Sequence, residues 1–204
     1  MSGVHFDPNP RYNLFLDELK KVRHPFSKWT RTLYRASVLP YAQAAKLLDG
    51  MGSMVHGGRW SATGTFSAVN LSTSPETALA ESGASFTYYN FAPSDLRPKI
   101  IVAVRASLNG VVDLVSPKGI RAKPWLELDK LLAEDWRKVN DAKHESLSQA
   151  FGRAAHAFGA EALLFPSARV AGGMNLVYFP KSLAEKSRIE ILGEEDLHYW
   201  IKKR

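Results

Sequence analysis

Two arginines stand where a guanidinium can do more than face water. Arg35 follows the apolar pair Leu33-Tyr34 in a strand-like run. A charged guanidinium on a half-buried strand calls for an anion, because burying it unpaired is costly. On an edge strand it would simply be solvated. Arg59 follows Gly57-Gly58 and precedes Trp60. The glycines let backbone approach a ligand closely, and a planar guanidinium can grip phosphate through two parallel hydrogen bonds. The bland alternative is a turn arginine. Glu81 and Ser167 are quieter: alone, the first reads as a helix-surface carboxylate, and the second, after Pro166, as a turn cap.

The elements that must position these residues can be read from periodicity and turn chemistry. Asn13–Val22 has helical apolar spacing, and Arg31–Ser37 reads as the strand carrying Arg35. Tyr41–Met51 reads as an Ala/Leu-rich helix closed by Gly50. A glycine-spaced segment from Gly52 to Gly64 carries Arg59 and leads into a short strand around Phe66–Leu71. Thr73-Ser74-Pro75-Glu76 is a helix start, with a hydroxyl cap, a proline in the first turn and an early acid, and that helix carries Glu81. Lys99–Ala106 and Val111–Val115 read as strands around an Asn109-Gly110 turn. Trp125–Trp136 and Glu145–Phe158 read as helices. Glu161–Pro166 and Asn175–Pro180 read as strands flanking the loop Ser167–Gly173, and the last stretch as a charged, partly helical tail.

This mixture is too irregular for a βαβ repeat and predicts one α+β domain. The expected organisation is an N-terminal helical extension over 1–30, a main domain over 31–182 and a tail over 183–204. Gly57-Gly58 lacks the spacing and the strand–helix context of a dinucleotide fingerprint. His144 and His156 do not complete a metal motif, so no metal is expected.

Composition narrows the class. The chain has 204 residues, 45% of them hydrophobic, enough for a real core. No apolar run approaches the roughly 20 residues of a membrane helix. The start MSGVHFDPNPRY has neither a basic nor an apolar signal region, and there is no cysteine. A soluble, cytoplasmic protein is expected. The formal charge of +7 admits a polyanionic partner. The basic residues are scattered, however, and no helix-turn-helix, zinc-finger or RNP-like signature accompanies them.

Four separated words occur in a telling order: Tyr34-Arg35, Gly58-Arg59-Trp60, Ala78-Leu79-Ala80-Glu81, and Pro166-Ser167-Ala168-Arg169 leading to Asn175-Leu176-Val177. Together they resemble the RES domain family over most of residues 33–180. Its letters are matched by Arg35, Glu81 and Ser167. The resemblance implies a fold similar to ADP-ribosyltransferases, with small split β-sheets surrounded by helices. It also implies a toxin of a bacterial toxin–antitoxin pair that uses NAD and is covered by an Xre-type antitoxin. Nucleic acid would then be met only through the antitoxin.

Breaking the nicotinamide–ribose bond passes through a ribosyl cation. In this reading Glu81 holds the ribose and stabilises that charge, an effect on the order of 2.7–4 kcal/mol for one preorganised group. The nicotinamide ring carries its charge before the bond breaks, so no strong general acid is needed. Arg35 and Arg59 would neutralise the pyrophosphate or the adjacent ribose. Ser167 would hydrogen-bond the nicotinamide amide or ribose, with Arg169 assisting, and His56 borders the arginine loop as a further pocket residue.

One position departs from the family. A tyrosine that stacks on nicotinamide is expected eleven residues before the glutamate, and Asn70 stands there. Asparagine offers hydrogen bonds but no aromatic face. Trp60, Phe66, Tyr34 and Tyr88-Tyr89 are the substitutes in view. The departure leaves open ADP-ribose transfer to a target protein, hydrolysis or phosphorolysis of NAD, and a scaffold without turnover. A non-enzymatic nucleic-acid-binding protein is the competing class.

Overall fold

The structure is a computed structural model, and it describes residues 5–83, 88 and 97–197. In chain order the elements are α1 (Arg11–Lys20), β1 (Ser27–Val38), α2 (Ala44–Leu48), α3 (Met51–His56), β2 (Val69–Ser72), α4 (Pro75–Ser82), β3 (Lys99–Asp113), α5 (Leu128–Ala133), α6 (Trp136–Asp141), α7 (Leu147–Ala157), β4 (Ala162–Pro166), β5 (Met174–Tyr178) and β6 (Arg188–Ile191).

The strands run β1-β2-β5-β4-β3-β6, and β1 also pairs along most of β3. The first five therefore close on themselves, and β6 adds to β3 across Val104–Ser107. β3 and β4 are parallel, with α5, α6 and α7 in the crossover between them. The closure is tight on one side and loose on the other. β1 and β3 are matched from Trp29 opposite Leu108 to Val38 opposite Lys99, whereas β1 meets β2 at the single pair Tyr34–Ser72. Beyond that pair the sheet splits.

Alternation along the strands divides the core in two. Leu33, Val69, Leu71, Val104, Leu164, Leu176 and Tyr178 fill the space that the closed strands enclose. Leu163, Phe165, Val177 and Phe179 point the other way and pack with Phe15 and Leu19 of α1 and Phe151, Ala154 and Ala155 of α7. With both faces covered, β4 reads as the unbroken apolar run Ala-Leu-Leu-Phe rather than as an alternation.

The N-terminal residues are fastened to this body. Arg153 grips Glu145 through two hydrogen bonds of 2.7 Å, and Glu145 also accepts from the Asn9 amide at 2.9 Å. The Arg153 guanidinium lies 3.6 Å from the Tyr12 ring centroid, a cation–π contact. Among the described residues no helix is long and apolar enough to cross a membrane.

Several local expectations are corrected. The single helix expected over Tyr41–Met51 is two short helices, because Gly50 adopts a left-handed conformation with φ of 70° and its Cβ position lies 2.8 Å from the Ala68 amide nitrogen. Asn109-Gly110 is no hairpin turn but an irregularity within one 15-residue strand, where the register to β1 shifts. Its amides donate to Glu161 at 2.8 and 2.9 Å, so a buried carboxylate from across the sheet satisfies what a turn would have satisfied locally. Burial opposes ionisation of Glu161, but hydrogen bonds from the Ser187 hydroxyl and the amides of Gly110, Ala184 and Asn109 prevail and hold its pKa below the ordinary carboxylate range. The helix expected over Trp125–Trp136 covers only Leu128–Ala133. The charged C-terminal stretch supplies β6, whose Ile191 enters the core opposite Val104.

Candidate functional site

α4 begins as its sequence requires. The Ser74 hydroxyl accepts from the Thr77 amide at 3.1 Å, and Pro75 opens the first turn. The helix buries Thr77 and Ala78. Glu81 lies four and three residues further on, so it shares their inward face. The loop between β4 and β5 comes up beside it. A Cβ at Gly173 would lie 2.9 Å from the Thr77 hydroxyl, so glycine is what permits this approach.

There the carboxylate is received by two donors on one oxygen. Ser167 Oγ lies 2.6 Å and Asn175 Nδ2 lies 2.8 Å from Glu81 Oε1. The Ser167 oxygen accepts the Arg169 and Val170 amides, both at 3.1 Å, so its own proton is directed to the glutamate. Behind Asn175, the Ser72 hydroxyl donates to its Oδ1 at 2.7 Å. Ser72 and Asn175 are themselves a pair in the β2–β5 ladder.

Arg59 is near enough to feel the Glu81 charge. Burial pushes its guanidinium below the ordinary arginine value, the Glu81 carboxylate pulls it back, and Arg137 lowers it further. Its Nη1 caps the end of α5, donating to the carbonyls of Leu131 at 3.1 Å, Leu132 at 3.0 Å and Glu134 at 3.3 Å. A cation suits that end of a helix. The turn arginine of the sequence is thus anchored by one nitrogen to protein carbonyls. The loop that carries it is held by α7, where Gln149 Nε2 donates to the Gly58 carbonyl at 3.0 Å and Gly152 lies directly beneath the Trp60 carbonyl.

Arg35 stands on β1, next to the pair that joins β1 to β2. It shares the inward face of Leu33 on β1, and the charged groups that bear on it are Tyr178 and Asp49. Its Nη1 donates to the Asn70 carbonyl at 2.9 Å, bridging the strands just where β1 and β2 part. Its Nε is buried and has no partner among the described residues. Burial lowers the pKa of this guanidinium and raises that of the Tyr178 hydroxyl, which donates to the Leu48 carbonyl at 2.8 Å.

Asn70 is exposed, and register puts its side chain on the same face as Ser72. His56 is exposed at the end of α3, and Arg169 is exposed in the loop after β4.

The candidates for the missing aromatic now separate. Trp60 is 1% exposed, packed edge-on against Phe151 and Phe165. Phe66 is stacked on His156, with 4.2 Å between ring centroids. The Tyr88 hydroxyl donates to Asp141 at 3.0 Å, and Tyr89 lies outside the described residues. Tyr34 is half-buried and stands opposite Ser72, on the face where Glu81 is received. Sequence reasoning assigned no role to Ser72 or Asn175, because an Asn or Ser on a strand carries no signal until register pairs it.

The RES domain profile matches residues 32–201. The chain belongs to the RES domain family. No curated protein matches the chain. Among solved structures, a chain in the crystal structure of the M. tuberculosis MbcT-MbcA toxin-antitoxin complex is similar to this RES domain protein, with a TM-score of 0.65 and 21% identity. The match covers 95% of the present chain and 98% of the other. At that identity the likeness speaks for the fold, a mixed α+β domain.

Proposed function

We propose that this RES domain protein is the toxin of a toxin–antitoxin pair that cleaves the nicotinamide–ribose bond of NAD and transfers ADP-ribose to a target protein. The observation that carries the reading is Glu81, a carboxylate with one oxygen fixed by Ser167 and Asn175 and with the half-buried Arg59 near enough for the two charges to interact. A preorganised anion suits a reaction whose transition state spreads positive charge over a ribose. Glu81 Oε2 faces the ribose and stabilises the developing cation. Arg59, anchored at Nη1, offers its remaining nitrogens to the pyrophosphate. Arg35, with a buried Nε lacking an acceptor, completes the anion-binding wall at the split between β1 and β2. Ser167 serves through Glu81. Tyr34 supplies the aromatic face that Asn70 cannot, while Asn70 and His56 border the ribose and carboxamide.

The similar solved structure is that of a toxin–antitoxin complex. That likeness supports an antitoxin as the partner of this chain; in our reading it is of the Xre type that the family resemblance implies, acts in the same cytoplasm, covers the pocket and brings acidic groups to an arginine-lined cleft.

The test is incubation of the purified chain with NAD labelled in its adenylate part and with cell extract. Label on protein is expected, and Glu81→Gln should lower the rate by about a hundredfold to a thousandfold while NAD binding persists. Label confined to free ADP-ribose would assign hydrolysis in place of transfer. Intact NAD after prolonged incubation would remove both.

A further inference from the structure

The polar residues behind Glu81, Ser72 and Asn175, lie outside the three letters of the family name. We infer that Asn175, oriented by Ser72, is a positioning residue that fixes which oxygen of Glu81 meets the substrate; this rests on the reading of Glu81 above. A carboxylate on a helix can rotate, and its two oxygens are equivalent until something distinguishes them. Here Oε1 accepts both Ser167 Oγ and Asn175 Nδ2, and among the described residues no group donates to Oε2. One oxygen is bound to the protein and the other is left to act.

The orientation of Asn175 is set by hydrogen-bond logic. An amide presents a donor end and an acceptor end of nearly equal size, and turning it over would aim Oδ1 at the carboxylate. The carboxylate opposes this, because its oxygens only accept, so Nδ2 faces Glu81 at 2.8 Å. The Ser72 hydroxyl supports the same orientation by donating to the freed Oδ1 at 2.7 Å. Both residues are buried, Ser72 at 3% and Asn175 at 5% exposure, where an unmade hydrogen bond is costly and a wrong orientation correspondingly rare. They face each other in the β2–β5 register, so the ladder itself places the relay. Ser167 reinforces it from the loop, held by two backbone amides. The chain of contacts runs from Ser72 through Asn175 to Glu81, with Ser167 closing the other side. Each link is a neutral donor or acceptor, so the relay takes away the carboxylate's freedom to turn without placing another charge beside it.

The experiment uses the full chain with Asn175→Leu, Ser72→Ala and the double substitution, each checked for a native melting transition. Hydrogen bonds to a charged group support an expected fall in kcat of about tenfold to a hundredfold for Asn175→Leu. KM for NAD should stay within about twofold, because ground-state contacts are unaffected. Ser72→Ala should give a smaller fall of the same kind. The double substitution should be no worse than Asn175→Leu alone, since Ser72 acts only through Asn175. A folded Asn175→Leu protein with wild-type kcat overturns the inference, and so does full additivity.

A second readout does not depend on NAD. The side-chain amide of Asn175, followed by nitrogen-resolved NMR, should exchange slowly in the wild type and lose that protection in Glu81→Ala and in Ser72→Ala. An amide indifferent to Glu81→Ala overturns the contact itself. Wild-type protein that leaves NAD intact would refute the proposed activity, with the amide still deciding the relay.

Discussion

Replacing Gly152 with alanine sets two known effects against each other. In an ordinary helix interior the change is favourable by about 1 kcal/mol, because glycine gives up more backbone freedom on folding. At Gly152 the added Cβ would lie 1.9 Å from the Trp60 carbonyl oxygen, 2.8 Å from its carbonyl carbon and 3.0 Å from its Cα. All three atoms are backbone, so no rotamer change relieves the contact, and α7 must part from the Trp60 loop by more than about 1 Å. Overpacking of this kind costs about 1–3 kcal/mol, and a contact below 2 Å belongs at the upper end. The net expectation is a loss of about 2 kcal/mol. For a domain of this size that is a drop in Tm of about 4–8 °C, read by calorimetry or circular dichroism. The displaced loop also carries Arg59 and holds the Gln149–Gly58 hydrogen bond, so KM for NAD should rise more than kcat falls. A Tm equal to or above the wild-type value would refute the reasoning, since propensity would then have prevailed over the clash.

Other consequences can be checked alongside. Tyr34→Ala should raise KM for NAD by about tenfold, and adding Asn70→Tyr should restore much of the loss; no change on Tyr34→Ala would remove it from the pocket. His156, stacked on Phe66, has a pKa lowered by burial. The folded state therefore favours the neutral ring, and its stabilising contribution is present above the unfolded value near 6.5 and is lost as pH falls through the lower folded value. Denaturant midpoints measured from pH 7.5 to pH 5 should fall more steeply for the wild type than for His156→Phe, and parallel curves would contradict this.

The split between what is local and what is global can be followed through single residues. Glu81 by itself read as a helix-surface carboxylate, and only packing turned it inward. Ser74, Pro75 and Glu76 act within one turn, so α4 was legible from the order of residues alone. The same holds for the loop between β4 and β5, bounded by apolar runs on both sides. Gly50 carried its own signal, a left-handed conformation, although not that another helix begins directly after it. Asn109-Gly110 misled because its amides are satisfied by Glu161, about fifty residues away, and no local rule reports a partner at that distance. The family words carried the identities of Arg35, Arg59, Glu81 and Ser167, but not how they divide in space.

Tertiary structure made that division. Whether a strand residue faces one side or the other depends on register, and register depends on which strands pair. β1 meeting β2 only at Tyr34–Ser72 leaves Arg35 on the inward face and Tyr34 on the face of Glu81. The β2–β5 ladder brings Ser72 to Asn175, and Asn175 to the carboxylate. Arg59 was visible as a cation near glycines; the end of α5 determined that one of its nitrogens is already engaged. The sequence by itself determined which chemical groups are present and which short elements carry them, because caps, turns and alternation act over a few residues. Only the folded chain decided which groups meet, because hydrogen bonds between residues about a hundred positions apart exist only once the sheet has closed.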